Sequence, residues 1–225
     1  GERMPSAYLT GRTWFAGHEI LVDARALVPR SPLAELVLQR FAPFVDAQSV
    51  RTVLDIGTGS GCIAIACAHA IAHARVDAVD VSPDALDLAR ANVRHHGLAE
   101  RVRPVLSHVY RALGERRYDL IVSNPPYVPS RDVDALPAEY AHEPRLGLDA
   151  GGDGLDVVRE ILAGAAHHLT AAGVLVVEVG DTQDRVQREW PQVPFLWLDF
   201  EHGGGGVFLL TRDALERHAH RLAGG

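Results

Sequence analysis

The sequence of 225 residues lacks lysine altogether and has few sulfur-containing side chains, with two cysteines and one methionine. Cys62 and Cys67 are too few for a network of disulfides, so the sequence excludes a small disulfide-stabilised scaffold and favours a cytoplasmic location. It also lacks any apolar run of the roughly 18 residues that a membrane-spanning helix needs. We therefore predict a cytoplasmic globular protein without a membrane partner.

Positive charge is scarce as well: 29 acidic residues outnumber 22 basic ones, all of them arginine, and the formal net charge is −7. This balance disfavours the extended phosphate-binding surface of a general nucleic-acid binder. One local cluster of arginines precedes the predicted fourth strand of the sheet. We interpret it as a solvated face, with local contact to nucleic acid as the alternative. Its members are Arg101, Arg103, Arg111, Arg116 and Arg117.

A spacing suited to metal ligands occurs on a predicted helix, where His69 and His73 are four residues apart. Two histidines at that spacing can share a metal ion, but metal sites use three or four protein ligands. No third ligand is evident in the sequence, so we expect no metal.

Apolar runs alternate with helical patterns from residue 50 onward, which predicts an α/β fold with a mostly parallel sheet covered on both faces. The short loop between the last two strands predicts that they pair antiparallel. The seven predicted strands are 50–56, 76–81, 102–106, 118–123, 174–179, 195–200 and 207–211. The predicted helices are 33–44, 62–74, a helix capped by Ser82 that ends at Gly97, 153–169 and 183–190. A hairpin of residues 13–15 and 19–22 comes before all of them.

A glycine-rich turn follows the first strand of the predicted sheet, in residues 55–61. Glycines there let the backbone approach a ligand closely, and this is where open α/β sheets bind nucleotide-like ligands. Asp80 ends the second strand, where a carboxylate can accept hydrogen bonds from ribose hydroxyls. Asp55 begins the turn and suits a cationic ligand, such as an ammonium or a sulfonium. The candidate ligand-binding residues are Asp55, Gly57, Thr58, Gly59, Ser60, Gly61 and Asp80.

The fourth strand ends in the tetrapeptide Asn124-Pro125-Pro126-Tyr127. Two prolines fix the backbone and leave carbonyls free to accept hydrogen bonds. The side-chain oxygen of Asn124 and the carbonyl of Pro125 can then hold both protons of an –NH2 group and orient its nitrogen toward a methyl donor. Tyr127 can stack on a planar substrate. We predict Asn124, Pro125 and Tyr127 to be catalytic.

These motifs resemble the protein-glutamine methyltransferases that modify release factors and ribosomal proteins, and the branch acting on large-subunit ribosomal protein three in particular. The resemblance extends almost from end to end. It rests on residues 7–10, 14–17, 28–32 with Glu35, 124–127, 139–140, 142–144, 152–155, 178–180 and 206–208.

The resemblance implies a class I, Rossmann-like methyltransferase that uses S-adenosylmethionine and releases S-adenosylhomocysteine. It implies methylation of a glutamine side-chain amide in a large-subunit ribosomal protein, which could be part of an assembling ribosomal particle. His108 stands where the family usually has an aspartate near the adenine, and a neutral histidine can accept a hydrogen bond at one nitrogen. The implied cofactor contacts include 57–61, Asp80, His108, Val109 and Asn124. The implied substrate contacts are Asn124, Pro125, Pro126 and Tyr127. We add Glu143 from the long loop, which we interpret as ordering that loop over the substrate, with a general base as the alternative.

The family pattern also divides the chain into two parts. Residues 50–225 are expected to form the methyltransferase domain. Residues 1–49 are expected to be a hairpin and a leading helix, the remainder of a linker to an N-terminal helical domain that is missing here. Three alternatives stay open: an adenine-amino methyltransferase on DNA or RNA, a glutamine methyltransferase acting on a peptide release factor, and a non-catalytic module that only binds the cofactor.

Overall fold

The structure, a computed structural model, describes residues 4–222, so the ends of the two predicted domains at residues 1–3 and 223–225 lie outside the described residues. Its strands are β1 Arg12–Phe15, β2 His18–Leu21, β3 Thr52–Ile56, β4 Arg75–Asp80, β5 Val102–Leu106, β6 Tyr118–Ser123, β7 Leu169–Glu178, β8 Leu196–Leu198 and β9 Val207–Thr211. Its helices are α1 Ser6–Thr10, α2 Leu33–Leu38, α3 Cys62–Ala70, α4 Pro83–His95, α5 Ser130–Val133, α6 Asp156–His168, α7 Gln183–Glu189, α8 Arg212–Arg217 and α9 Ala219–Leu222.

Seven strands form the main sheet in the order β5-β4-β3-β6-β7-β9-β8. The pairs among β5, β4, β3, β6 and β7 are parallel, whereas β9 pairs antiparallel with both β7 and β8. The predicted fold class is confirmed, including the antiparallel last strand and the preceding hairpin of β1 and β2. The strand order reverses between β3 and β6, which is where ligands bind in sheets of this kind.

The sheet is buried on both faces, as its continuous apolar strands require. Alternate residues point to opposite sides: Val53 joins one core cluster and Leu54 the other. On the first side the sheet packs against α3, an almost wholly apolar helix in which seven of nine residues are buried. On the second side it packs against α6, whose Val158 and Ile161 are fully buried. The carboxyl ends of the central strands are thereby held rigidly.

The predicted helix 33–44 is wrong at its carboxyl end, because α2 stops at Leu38. Arg40 and Phe41 take positive φ values of 53° and 60°. Their amides donate backward to the carbonyls of Val37 and Leu36, at 2.9 and 2.8 Å. This pair of bonds is the helix-ending Schellman motif, here without the glycine that usually marks it in a sequence.

The chain after β9 forms two short helices that the sequence analysis omits. Thr211 caps α8 by accepting the amide of Ala214 at 3.2 Å, and Leu215 and Leu222 are buried against the second face of the sheet. Their burial explains why short segments become helical here. In residues 4–222 no helix combines the length and apolar character needed to cross a membrane.

The hairpin is part of the same core as the sheet. Phe15 and Ile20 are buried in the cluster that contains α3. Asn92 of α4, fully buried, exchanges hydrogen bonds of 2.8 and 2.9 Å with the backbone of Leu21 and donates to the carbonyl of Ser60 at 2.9 Å. One side chain thus connects the hairpin to the glycine-rich turn.

Candidate active site

A cavity of about 460 Å³ opens at the carboxyl ends of β3, β4, β5 and β6. Its volume lies within the roughly 300–1,000 Å³ range of small-molecule sites. Most of the predicted site residues line it, namely Gly57, Thr58, Gly59, Ser60, Asp80, His108, Val109, Asn124, Pro125, Pro126 and Tyr127. The other three, Asp55, Gly61 and Glu143, are buried around the cavity rather than in its lining.

The glycine-rich turn is held in place by its own backbone. The amides of Gly57 and Thr58 both donate to the carbonyl of Val79, at 2.9 and 3.0 Å, so the turn leans over the end of β4. Gly57 has a φ of +70°, which a residue with a side chain rarely adopts. Gly61, at +84°, would place a Cβ 3.3 Å from that of Ala89, so a glycine here lets α3 approach α4 closely.

Asp80 lies at the edge of the cavity with both carboxylate oxygens oriented by backbone amides. One oxygen accepts the amide of Gly59 at 2.9 Å and the other accepts that of Ser82 at 2.9 Å. Burial raises the pKa of Asp80 from its usual value, and these amide bonds oppose the rise. A carboxylate has about four acceptor sites, so two remain for hydroxyl groups of a ligand.

Asp55 is fully buried beneath the turn. Its Oδ2 accepts the hydroxyl of Thr58 at 2.5 Å and the amide of Ala64 at 3.1 Å, which fixes the start of α3. Its Oδ1 has no hydrogen-bond partner among the described residues. Burial raises the pKa of Asp55 to about 7. The structure therefore gives Asp55 a turn-holding position, with one acceptor oxygen left over.

The Asn124–Tyr127 edge, meaning residues 124–127, follows β6 directly. The hydroxyl of Ser123 donates to the carbonyl of Ile56 at 2.8 Å and so attaches the end of β6 to that of β3. Asn124 is half-buried and lines the cavity. Its side-chain amide forms no hydrogen bond within residues 4–222, and it is therefore available to a ligand.

Tyr127 is positioned by a glycine. A Cβ on Gly180 would lie 2.7 Å from the Tyr127 ring, so only glycine lets the ring lie against this backbone. Burial and the nearby Glu178 raise the pKa of Tyr127 to about 12, so the phenol is protonated at neutral pH. In the sequence, Glu178 belongs to the motif 178–180, which predicts no role for its side chain. Glu178 is buried and accepts the hydroxyl of Ser31 at 2.5 Å, and burial raises its pKa to about 7.

His108 and Val109 form the wall after β5. Nδ1 of His108 lies 3.1 Å from a carboxylate oxygen of Glu160 on α6, but the angle is not that of a hydrogen bond, so this nitrogen has no hydrogen-bond partner among the described residues. Val109 has a φ of +48°, which is a rare backbone for a β-branched residue. Its carbonyl accepts the hydroxyl of Ser107 at 2.9 Å, and that bond stabilises the bend.

The cavity has a roof that the site prediction mostly missed. Residues 25–31, between the hairpin and α2, line it together with parts of the long loop 134–150. Glu143, whose side chain is fully buried, pairs with Arg30 and accepts the amide of Val28 at 3.2 Å. Arg30 in turn lies over the ring of Tyr140, at 4.8 Å from its centroid. In the sequence, residues 28–32 are recognisable only as a family motif. Their local pattern does not predict that they line a cavity.

The arginine cluster is used inside the protein. Arg103 and Arg116 both pair with Asp77, at 2.8 and 3.0 Å. Arg101 donates to the carbonyl of Ala68 and Arg117 to that of Leu169, at 2.7 and 3.3 Å. Arg111 lies 3.8 Å from Glu160. Each of the five thus has an intramolecular oxygen within 3.8 Å, but the side chains of Arg103, Arg111 and Arg116 stay 47%, 74% and 49% exposed, as expected of a solvated face.

This sheet, with its cavity at the strand ends and its glycine-rich turn, defines a class I methyltransferase. A model of the Methyltransferase small domain family matches residues 34–153. The chain is 50% identical over 222 residues to a ribosomal protein uL3 glutamine methyltransferase of Xylella fastidiosa, covering 99% of this chain and 71% of that protein. It is 46% identical over 217 residues to the protein of the same name from Francisella tularensis, covering 96% and 69%.

The chain belongs to the family of ribosomal protein uL3 glutamine methyltransferases. Among solved structures, it resembles a 16S rRNA N2 methyltransferase of T. thermophilus, determined with AdoMet and guanosine. The TM-score is 0.60 at 20% identity, and the match covers 89% of this chain and 48% of that one. At this identity the likeness concerns the fold alone.

Proposed function

We propose that this protein transfers a methyl group from S-adenosylmethionine to the side-chain amide nitrogen of a glutamine in ribosomal protein uL3. The observation that carries the proposal is the unpaired amide of Asn124 in the wall of the cavity, at the reversal point of the sheet. Family membership supports the substrate, because the relatives are named for the same reaction. Since ribosomal proteins are made in the cytoplasm, we place the reaction there.

The residues that follow β3, β4 and β5 fit S-adenosylmethionine. The free acceptor sites of Asp80 suit two ribose hydroxyls, and the open backbone of Gly57 and Gly59 allows a ligand to approach closely. Oδ1 of Asp55, which has no hydrogen-bond partner among the described residues, adds an acceptor oxygen beneath the turn, and the carboxyl favours a cationic methyl donor once it is ionised above about pH 7. His108 and Val109 stand where the adenine ring would lie. We assign cofactor binding to these residues. The other turn residues, Thr58, Ser60 and Gly61, contribute by shaping the turn around the ligand.

The Asn124–Tyr127 edge suits a glutamine amide. A carboxamide nitrogen is a weak nucleophile, because its lone pair is delocalised. The side-chain oxygen of Asn124 and the carbonyl of Pro125 would accept its two hydrogens and aim the nitrogen at the methyl group. These acceptors also offset the positive charge that develops on nitrogen. Pro126 fixes the backbone, Tyr127 packs on the amide plane, and Glu143 keeps the roof in place.

Methyl transfer to the amide nitrogen does not need a general base in the cavity wall. Bound S-adenosylmethionine supplies the methyl group, so that a carbon–nitrogen bond forms while the carbon–sulfur bond breaks and its electron pair stays on sulfur. Asn124 and Pro125 hold the amide hydrogens during this step. The nitrogen then releases one proton to water. The main contribution of the chain is positioning, which fits the absence of an imidazole or a carboxylate among residues 124–127.

An acidic groove beside the cavity suits the protein partner. It is lined by Tyr127, Glu178, Asp181, Asp184 and the glycine run 204–206. Acidic side chains there would attract a basic segment of a ribosomal protein, and glycines allow its backbone to approach closely. We propose that the substrate chain lies along this groove, as free uL3 or within an assembling particle, and that residues 50–225 form the catalytic domain, whose cavity residues 25–31 complete.

The direct experiment incubates the protein with S-adenosylmethionine labelled in its methyl group and, separately, with uL3, a peptide release factor, DNA and ribosomal RNA. We expect label in a glutamine of uL3. Label in nucleic acid alone would indicate the adenine-amino alternative. Label in the release factor alone would move the substrate to that branch. Tight cofactor binding without transfer to any substrate would indicate a non-catalytic module.

A further inference from the structure

Three histidines from three different elements meet where the hairpin crosses the helices. His18 begins β2, His69 lies near the end of α3, and His96 follows α4. One ring nitrogen of each lies within 4.8 Å of the others. None of the three lines the cavity, so the cluster is separate from the candidate active site. The sequence analysis expected no metal because only His69 and His73 were in view; the fold instead brings two other histidines to His69.

The spacing of the nitrogens suits a tetrahedral ion. Nitrogen ligands about 2.0–2.1 Å from such an ion lie roughly 3.3 Å from each other. Nε2 of His69 and Nδ1 of His96 are 3.3 Å apart; without an ion they form a hydrogen bond, and their separation equals that edge, so an ion would replace the shared proton. The ring of His18 stacks on that of His69 with centroids 4.3 Å apart, so a rotation of its side chain is needed to bring its nitrogen to the ion.

His96 already has the hydrogen bond that orients a metal-bound histidine. Its Nε2 lies 2.8 Å from the backbone carbonyl of Glu19. A carbonyl only accepts, so Nε2 carries the proton and Nδ1 presents its lone pair to the cluster. Metal-ligating histidines nearly always donate their second ring nitrogen in this way.

The type of ligand atom indicates which ions would suit the cluster. Imidazole nitrogens suit Zn²⁺ and similar ions, whereas Mg²⁺ prefers oxygen ligands.

We propose that His18, His69 and His96 bind one Zn²⁺ ion, with a fourth position open to water. The ion would join the hairpin to α3 and α4 and so stabilise the segment 22–32, which leads from the hairpin over the cavity. This proposal does not depend on the substrate or the reaction assigned above.

The test titrates the metal-free protein of 225 residues with Zn²⁺ against a coloured chelator at neutral pH. We expect one equivalent to bind, and the apparent affinity to fall by on the order of 10–100-fold in His69→Asn and in His18→Asn. The matched control is His73→Asn, because His73 is exposed in the turn after α3, which ends at Ala70 and not at residue 74 as predicted, and lies outside the cluster. Its affinity should stay within roughly twofold of the unmodified protein.

A second readout separates binding from folding defects. Zn²⁺ should raise the melting temperature of the unmodified protein and of His73→Asn but not that of His69→Asn, and Mg²⁺ should raise none of them. Circular dichroism shows whether each variant is folded. Equal losses in His69→Asn and His73→Asn would overturn the proposal, since the chain has 12 histidines and scattered surface sites would then explain the binding. So would the absence of a stoichiometric site in the unmodified protein.

Discussion

The glycine-rich turn and the Asn124–Tyr127 edge meet in one cavity, but their polar groups are used differently. In the turn, amides of Gly57, Thr58 and Gly59 and the carboxylate of Asp80 already bond to one another or to β4. At the edge, the amide of Asn124 has no partner among the described residues, and the ring of Tyr127 rests on bare backbone at Gly180.

This difference shows which part of the site has its hydrogen bonds formed before a ligand binds. A turn whose groups are mutually bonded keeps its shape whether or not a ligand is present. An edge with an unpaired amide in a cavity wall gains its partner only from the bound molecule. We therefore expect substitutions at the edge to affect methyl transfer, and substitutions in the turn to affect cofactor affinity.

The largest effect is expected from Asn124→Ala. It removes an acceptor needed in the transition state, so kcat for methylation of uL3 should fall by about 10²–10³-fold. Cofactor affinity, measured by calorimetry, should stay within about tenfold, because the turn is unchanged. Gln187→Ala, which removes an exposed amide on α7, is the control and should retain full turnover. Wild-type turnover in Asn124→Ala would refute the role of the edge.

The next effect is expected from Asp80→Asn. Loss of the charge weakens the bonds to ribose hydroxyls, so the dissociation constant for S-adenosylmethionine should rise by about 10–100-fold. The value of kcat at saturating cofactor should change less. Asp84→Asn, an exposed carboxylate four residues further on, should bind cofactor normally. An unchanged dissociation constant in Asp80→Asn would mean that the cofactor lies elsewhere.

A pH-dependent effect is expected from Glu178→Gln. Burial raises the pKa of Glu178 to about 7 in the folded state, whereas the ordinary pKa of a glutamate side chain is 4.5. Between these values the folded protein binds more protons than the unfolded chain, so the free energy of unfolding should fall as pH rises. Above that range Glu178→Gln should be more stable than the unmodified protein by about 3 kcal/mol. Denaturant titrations across this range measure it, and parallel curves for both proteins would contradict the assignment.

The smallest effect is expected from Glu143→Gln. The amide keeps an acceptor for Val28 but loses the charge facing Arg30, at a cost of about 1 kcal/mol. The roof should open more often, so proteolysis within residues 134–150 should accelerate while turnover falls less than about tenfold. Asp134→Asn, in an exposed pair with Arg145 on the same loop, is the control. Equal cleavage rates in the two variants would show that Glu143 does not fasten the loop.

The sequence predicted the sheet and the two halves of the site because their signals are local. Buried strands appear as apolar runs, Ser82 and Pro83 mark the start of α4, and the turn and tetrapeptide each lie within a few consecutive residues. The end of α2 was missed because Arg40 takes the left-handed conformation usually reserved for glycine. Residues 25–31 of the roof were missed because their contacts span 113 and 147 residues, from Arg30 to Glu143 and from Ser31 to Glu178, whereas Glu143 itself was predicted to order the long loop. No local pattern encodes such distances.

The same limit applies to the histidine cluster. His18 and His69 are far apart in the sequence and meet only because the hairpin packs against α3. The spacing of four residues in the sequence points to His69 and His73. It cannot reveal a group of histidines that only the tertiary fold brings together.

The central claim is that this cavity methylates a glutamine of uL3. The most direct measurement is tandem mass spectrometry of purified uL3 after incubation with this protein and S-adenosylmethionine, with Asn124→Ala in parallel. We expect a mass gain of one methyl group on a single glutamine side chain with the unmodified protein and little or none with Asn124→Ala. Two results would contradict this expectation. One is uL3 that gains no methyl group although the protein binds the cofactor, and the other is equal methylation by Asn124→Ala.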